Sequence, residues 1–362
     1  MAKRKRKKNY RPLIAAAAVL CVCLVLVAAF AAGKYSPTKE KMDLSEYFSL
    51  TQEEADAGYV AVVINGELAQ EKAVLKDGQL YLAENTVTSL INSRFYWDDT
   101  EKLLIYTTAN DTYKVYEGTS DYYVSNAVNS YDSIIVLNEN DGYYINADFV
   151  KDNSAMDFAV YEDELPRAVI STEYKEALYT YITASSAPIR YQGGIKSEIL
   201  TVGAQGDRLK IKEEYDNWYE VLTEDGFVGY IKKKATGEPQ KETAESDYIE
   251  SEYTSISLGE SVNLTWHQVT NQTANNYITS TLAEAVGINV ISPTWFYLND
   301  DEGNINAIPS SAYVTACHDK GIQVWGLVSD FENSDVNVSD VLNITTNRER
   351  LESKLISAAI EY

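Results

Sequence analysis

Asn217 to Lys233 reads NWYEVLTEDGFVGYIKK, and this stretch decides how the middle of the chain is read. A β-rich run holds Trp218, Tyr219 and Val221, an Asp225-Gly226 pair interrupts it, and Val228-Gly229-Tyr230-Ile231 resumes it. β-rich runs on both sides of Asp-Gly punctuation predict short strands. The same punctuation recurs upstream, in ALYTYITASSAPIRYQGG from Ala177 and GDRLKI from Gly206. Five short strands over residues 176–234 predict a small all-β barrel. Neighbouring side chains of a strand face opposite ways, so of Trp218 and Tyr219 at most one is free to serve as a ligand platform.

Gly206, Leu209 and Ile211, then Trp218, Tyr219 and Val221, then Gly226, Gly229, Tyr230 and Ile231 carry a pattern that resembles the bacterial Src-homology-3 type domain. That resemblance implies a barrel that binds cell-wall peptides, with Trp218, Tyr181 and Tyr191 as the rings to contact them. A purely structural spacer is the alternative.

Residues 59–172 precede this unit. VAVVI from Val60, the Asn65-Gly66 hairpin signal, LYLA from Leu80, FYW from Phe95 and KLLIYTT from Lys102 predict short strands. A repeat runs through them: DGQLYLAENTVTSL from Asp77 is matched by DGYYINADFVKDNS from Asp141, and FYWDDTEKLLIY from Phe95 is echoed by FAVYEDELPRAVI from Phe158. The first copy resembles the copper amine oxidase N-terminal-like repeat domain, which implies an α+β spacer or adhesion module. Copper favours imidazole ligands, and the only histidines, His267 and His318, lie far downstream. No cofactor or metal site is expected.

The chain of 362 residues has a formal charge of −23, yet Lys3, Arg4, Lys5, Arg6, Lys7, Lys8 and Arg11 fall in a basic tail at 1–11. Without those seven positive charges the −23 becomes −30, and such a body repels nucleic acid. PLIAAAAVLCVCLVLVAAFAA at 12–32 is uncharged and of the length, about twenty residues, that spans a bilayer. The basic flank predicts a single-pass membrane protein with a cytoplasmic N-terminus and an extracytoplasmic body. A cleaved signal peptide is the competing reading, since Ala29-Phe30-Ala31 has the form of a cleavage site. Residues 33–58 are polar and read as a stalk. Cys21 and Cys23 lie in the apolar run and Cys317 is alone, so no disulfide framework is expected.

Beyond a Glu-, Ser- and Thr-rich linker at 235–260 the pattern changes. Strand-like runs at 261–269, 287–296 and 321–331 alternate with helix-like ones at 276–285, 310–320 and 345–362. That alternation predicts a parallel sheet covered by helices. VNLTWHQVTNQTANN, GINVISPTWFYLNDDEGNI, KGIQVWGLVSDF and NRERLESKLISAAIEY resemble the first three units of a glycoside hydrolase family 18 (β/α)₈ TIM barrel, nearest the spore-germination and cell-wall-lytic branch. Leu327-Val328-Ser329-Asp330-Phe331 stands where chitinases carry Ser-x-Gly-Gly. The family's catalytic Asp-x-x-Asp-x-Asp-x-Glu is expected beyond Tyr362, so residues 261–362 read as a barrel truncated after about three units.

The resemblance implies substrate-assisted, retaining hydrolysis of an N-acetylglucosamine polymer such as peptidoglycan or a chitin-like glycan. Sugar contacts are then expected at strand ends: Trp295, Tyr297, Trp266, His267, Trp325 and Asp330. Glu332 and Asp335 could mimic a carboxylate pair, but a polar loop fits a solvated surface. The whole reads as a multidomain, membrane-anchored glycosidase; a non-catalytic wall-binding or scaffold protein is the alternative.

Overall fold

In a computed structural model that describes residues 20–21, 23–26, 30, 33–125, 127–255 and 257–362, the two β-rich runs on either side of Asp225-Gly226 pair as a hairpin. Trp218–Thr223 pairs antiparallel with Val228–Lys232, Tyr219 opposite Ile231 and Val221 opposite Gly229. Tyr219, Val221 and Thr223 are buried, while Trp218, Glu220 and Leu222 stay partly open. Thr223 Oγ1 donates to Asp225 Oδ1 (2.5 Å) and accepts from the Phe227 amide (2.9 Å), which closes the turn around Gly226 at φ +90°. A Cβ on Gly229 would sit 2.7 Å from the Arg190 carbonyl oxygen, so only glycine lets the two strands approach.

Around this hairpin runs a seven-stranded sheet in the order Ile199–Ala204, Ser186–Arg190, Val228–Lys232, Trp218–Thr223, Arg208–Glu214, Glu176–Tyr181, Gln240–Thr243. Ile182, Ala187, Ile189, Leu209, Tyr219, Val221 and Ile231 fill its core. The last strand comes from residues read as linker, and it pairs Glu176 with Thr243 and Tyr179 with Gln240.

A second sheet is centred on Tyr59–Ile64, which lies parallel to Arg167–Ser171 and antiparallel to Ala73–Lys76. The repeat is visible in its geometry. Gln79–Ala83 and Gly142–Asn146 pair antiparallel, Leu82 with Ile145 and Tyr81 with Asn146. Moving each member by the 64 positions that separate Asp77 from Asp141 exchanges these two pairs, so the copies meet about a local pseudo-two-fold.

Residues 33–58 are docked, not a free stalk. Thr38 N donates to Ile195 O (2.8 Å), Ile199 N to Glu40 O (2.9 Å) and Met42 N to Ile199 O (2.9 Å), so the segment lies along the outer strand of the seven-stranded sheet. Two short capped helices follow, Leu44–Tyr47 under Asp43 and Gln52–Asp56 under a Thr51–Glu54 capping box. Phe48 and Leu50 enter a core with Ala61, Val63, Leu165, Leu200 and Phe227.

Arg167 lies beside that core with no surface exposed. Its Nε donates to the Asp225 carbonyl (2.6 Å), Nη2 to the Asp225 carboxylate (3.0 Å), and Nη1 to the carbonyls of Asp163 (3.3 Å) and Leu165 (3.2 Å). The guanidinium carbon lies 4.9 Å from the Phe227 ring centre and 5.2 Å from that of Tyr161. These contacts all fall in one compact unit, residues 1–91 and 142–250.

A second unit comprises residues 92–141 and 251–362. Its first part is an antiparallel meander from Phe95–Asp98 to Ala127–Ser130. Asp98 Oδ2 accepts from Thr345 N (2.7 Å) and Thr345 Oγ1 (2.6 Å), so a hairpin carboxylate caps the helix Thr345–Glu361. In the C-terminal part Leu264–His267, Val290–Pro293 and Gln323–Val324 form an open, parallel three-stranded sheet. The chain then departs from a barrel: Phe296–Leu298 pairs antiparallel with Ile305–Ala307 and parallel with Val328–Ser329 in a separate small sheet.

Two expectations are corrected here. The chain is mostly β-rich and carries no (β/α)₈ pattern, because the third strand spans only two residues and the following segment joins another sheet. The predicted membrane span at 12–32 and the basic tail lie largely outside the described residues; among those described, no helix is long and apolar enough to cross a membrane. The described residues therefore do not support a single-pass placement at a cell membrane.

Replacing Arg167 by Met should cost about 1–3 kcal/mol, since it leaves the carbonyls of Asp225, Asp163 and Leu165 without this donor. Arg167→Lys should not restore it, since one ammonium cannot reproduce the forked contacts; urea denaturation checks both. Asp98→Ala should cost about 1–3 kcal/mol. Burial raises the Asp98 pKa, but bonds from Thr345, Glu101 and Thr100 outweigh it and hold the carboxyl below its ordinary 3.8. Its contribution is complete above that value and is lost as pH falls through the folded-state pKa, so the Asp98→Ala difference should shrink in acid.

Candidate functional site

Trp218 opens its strand directly opposite Lys232, whose ammonium nitrogen lies 5.5 Å from the indole centre. The ring and Lys232 line a cavity of about 440 Å³ with Lys234, Pro188, Ile195 and Pro37. Small apolar side chains, Ala184, Ala187 and Ala235, also line it, with Ser186, Ile231 and Arg190. The three lysines of the run 232–234 are used differently. Lys233 pairs with Glu214 (2.5 Å) and lies over the Tyr219 ring, whereas Lys232 and Lys234 make no ion pair among the described residues. Two uncommitted ammonium groups beside an indole and an apolar floor fit a small apolar ligand bearing a carboxylate. Arg190 is not a third available charge: it is 3% exposed, and its Nη1 donates to the Ser197 carbonyl (2.5 Å) and its Nη2 to that of Thr38 (3.1 Å).

The other two rings expected at a wall-binding site are elsewhere. Tyr181 donates through its hydroxyl to Glu242 (2.8 Å), which also pairs with Arg208. Tyr191 is exposed and lines a separate cavity of about 330 Å³ with Tyr47, Leu68 and Gly226. Lys232, Lys234 and Pro37 were missed by sequence reasoning. A Lys-Lys-Lys run in a chain of charge −23 was the available signal for the first two. Nothing local marks Pro37.

The six candidate sugar contacts also divide. Trp295 is 3% exposed, donates from its indole to Asn275 Oδ1 (2.8 Å) and packs edge-on against Tyr313, so it is core and offers no ring face for stacking. His267 turns to the same helix-covered side, its Nδ1 2.8 Å from the Tyr313 hydroxyl. Trp266 is 72% and Trp325 44% exposed. Trp266 is in register with Ser292, and Ile291 with Val324, which puts Trp325 in the next row beside Ser292. The backbone positions of the two tryptophans thus flank Ser292, two strand spacings or roughly 10 Å apart. Tyr297 is half-buried in the separate small sheet, in register with Ser329, and Asp330 is exposed just beyond it. Glu332 accepts from Ser329 Oγ, and Asp335 is exposed.

Residues 185–236 match the model of the bacterial SH3 domain. Neither the family 18 glycosidase nor the copper amine oxidase N-terminal-like resemblance gains a family match. No curated protein matches the chain.

Burial pushes the His267 imidazole below its ordinary pKa of 6.5. The unfolded chain then takes up a proton near that value which the folded site refuses, so stability should fall as pH drops below 6.5. His267→Phe should flatten this dependence in urea titrations between neutral and mildly acidic pH.

Proposed function

We propose that this protein is a non-catalytic binding module for the peptide part of bacterial cell wall, acting through its SH3-type domain. One observation carries the reading: the Trp218 cavity joins an indole and small apolar side chains to Lys232 and Lys234, which lie inside the matched residues and make no ion pair among the described residues. Wall stem peptides combine alanine-sized side chains with free carboxylates, which is the complementary chemistry. The acidic surroundings sharpen the contrast, because the net charge of −23 disfavours anions everywhere except at such a basic patch.

The test is a calorimetric titration of the protein with the soluble stem peptide L-Ala-γ-D-Glu-L-Lys-D-Ala-D-Ala. Trp218→Ala, and separately Lys232→Glu with Lys234→Glu, should each weaken binding at least about tenfold. Raised salt should weaken it further. Binding unchanged in both variants would sink the assignment.

Glycan binding is a second reading, favoured by the exposed Trp266 and Trp325, whose backbone positions flank Ser292 in one sheet. Trp266→Ala should then weaken binding to soluble N-acetylglucosamine oligomers at least about tenfold. No binding of these oligomers by the unmodified protein would remove this reading.

A further inference from the structure

We propose that the ligand cavity of the SH3-type domain is composite, and that the strap Ser36–Met42 is a working wall of it. This rests on the peptide-binding reading above.

The strap is held by its backbone and by two basic side chains of the barrel. Its Thr38 amide bonds to Ile195, Glu40 and Met42 bond to Ile199, and Arg190 donates to the Thr38 carbonyl (3.1 Å). Lys196 Nζ donates to the carbonyls of Gly33 (2.6 Å) and Ser36 (2.7 Å). Lys41 and Ile199 form a parallel bridge, so the strap extends the outer strand by β-augmentation. This places Pro37 in the lining of the Trp218 cavity, on a wall that also contains Ile195.

Consequences follow from mass action. A ligand that touches Pro37 is bound by the docked form and not by the undocked one, so docking and ligand binding stabilise each other by the same factor. The matched residues 185–236 contain Trp218, Lys232 and Lys234 but lack this wall. Proline suits the role: its ring is rigid and apolar, and its missing N–H leaves no donor unsatisfied against the ligand.

The experiment uses the full chain and the same stem peptide, with affinity from calorimetry and docking from amide hydrogen exchange at Ile199 and Met42. Lys196→Ala loosens the strap without touching the cavity lining, and Pro37→Gly removes the wall. The proposal expects both variants to bind at least about fivefold more weakly, and expects peptide to slow exchange at Ile199 and Met42 in the unmodified protein. Unchanged affinity in both variants, with Trp218→Ala still defective, overturns the composite site while leaving the peptide-binding reading intact. Tighter binding in the variants overturns it too, since the strap would then be an obstruction. No binding by the unmodified protein or by either variant overturns both readings together.

Discussion

A guanidinium with no access to water has to find all its partners inside the protein, and Arg167 organises its neighbourhood by that requirement. It takes backbone carbonyls from the loop just before its own strand and both a carbonyl and a carboxylate from the Asp225 turn of the SH3-type hairpin. Aromatic rings from Phe227, Tyr161 and Phe48 cover the rest. The desolvation cost of the charge is offset only while every partner stays in place. The two sheets of this unit and the residues just after the strap are therefore tied to one turn. That turn belongs to the hairpin whose other end presents Trp218 and Lys232.

The same logic, a polar group made indispensable by burial, recurs in the second unit. Asp98 lies in a hairpin yet caps a helix that starts 247 positions later, accepting two bonds from Thr345. Trp295 is held in the core by a single bond to Asn275, and His267 by one to Tyr313. Residues that read as chemistry in isolation are here the means by which a mixed core satisfies its polar atoms. Trp266 and Trp325 differ because their sheet face is not covered in the same way.

Legibility followed the range of the interaction. The strands of the SH3-type hairpin were readable because the β-rich runs, the Asp-Gly pair and the glycines lie within a few residues of one another. The repeat was readable for the same reason, though its pseudo-two-fold pairing was not. Residues 33–58 were misread because polar composition masked Phe48 and Leu50, although Thr51 and Glu54 spell a capping box. The linker hid a strand, Gln240–Thr243, whose partner lies over sixty positions away. Strand and helix alternation near the C-terminus suggested a barrel, but local periodicity does not specify which sheet a strand joins.

By itself, then, the sequence determined the local units: the short strands on either side of the Asp-Gly pair, the copies of the repeat, the parallel order of the C-terminal strands, and the acidic charge that makes a lysine run unusual. Only the tertiary structure decided which aromatic rings are available. It buried Trp295, separated Tyr181 and Tyr191 from Trp218, and brought Pro37 from a distant segment to the indole's cavity. The physical reason is that a side chain's exposure depends on everything that packs around it. Period and spacing report only on its neighbours along the chain.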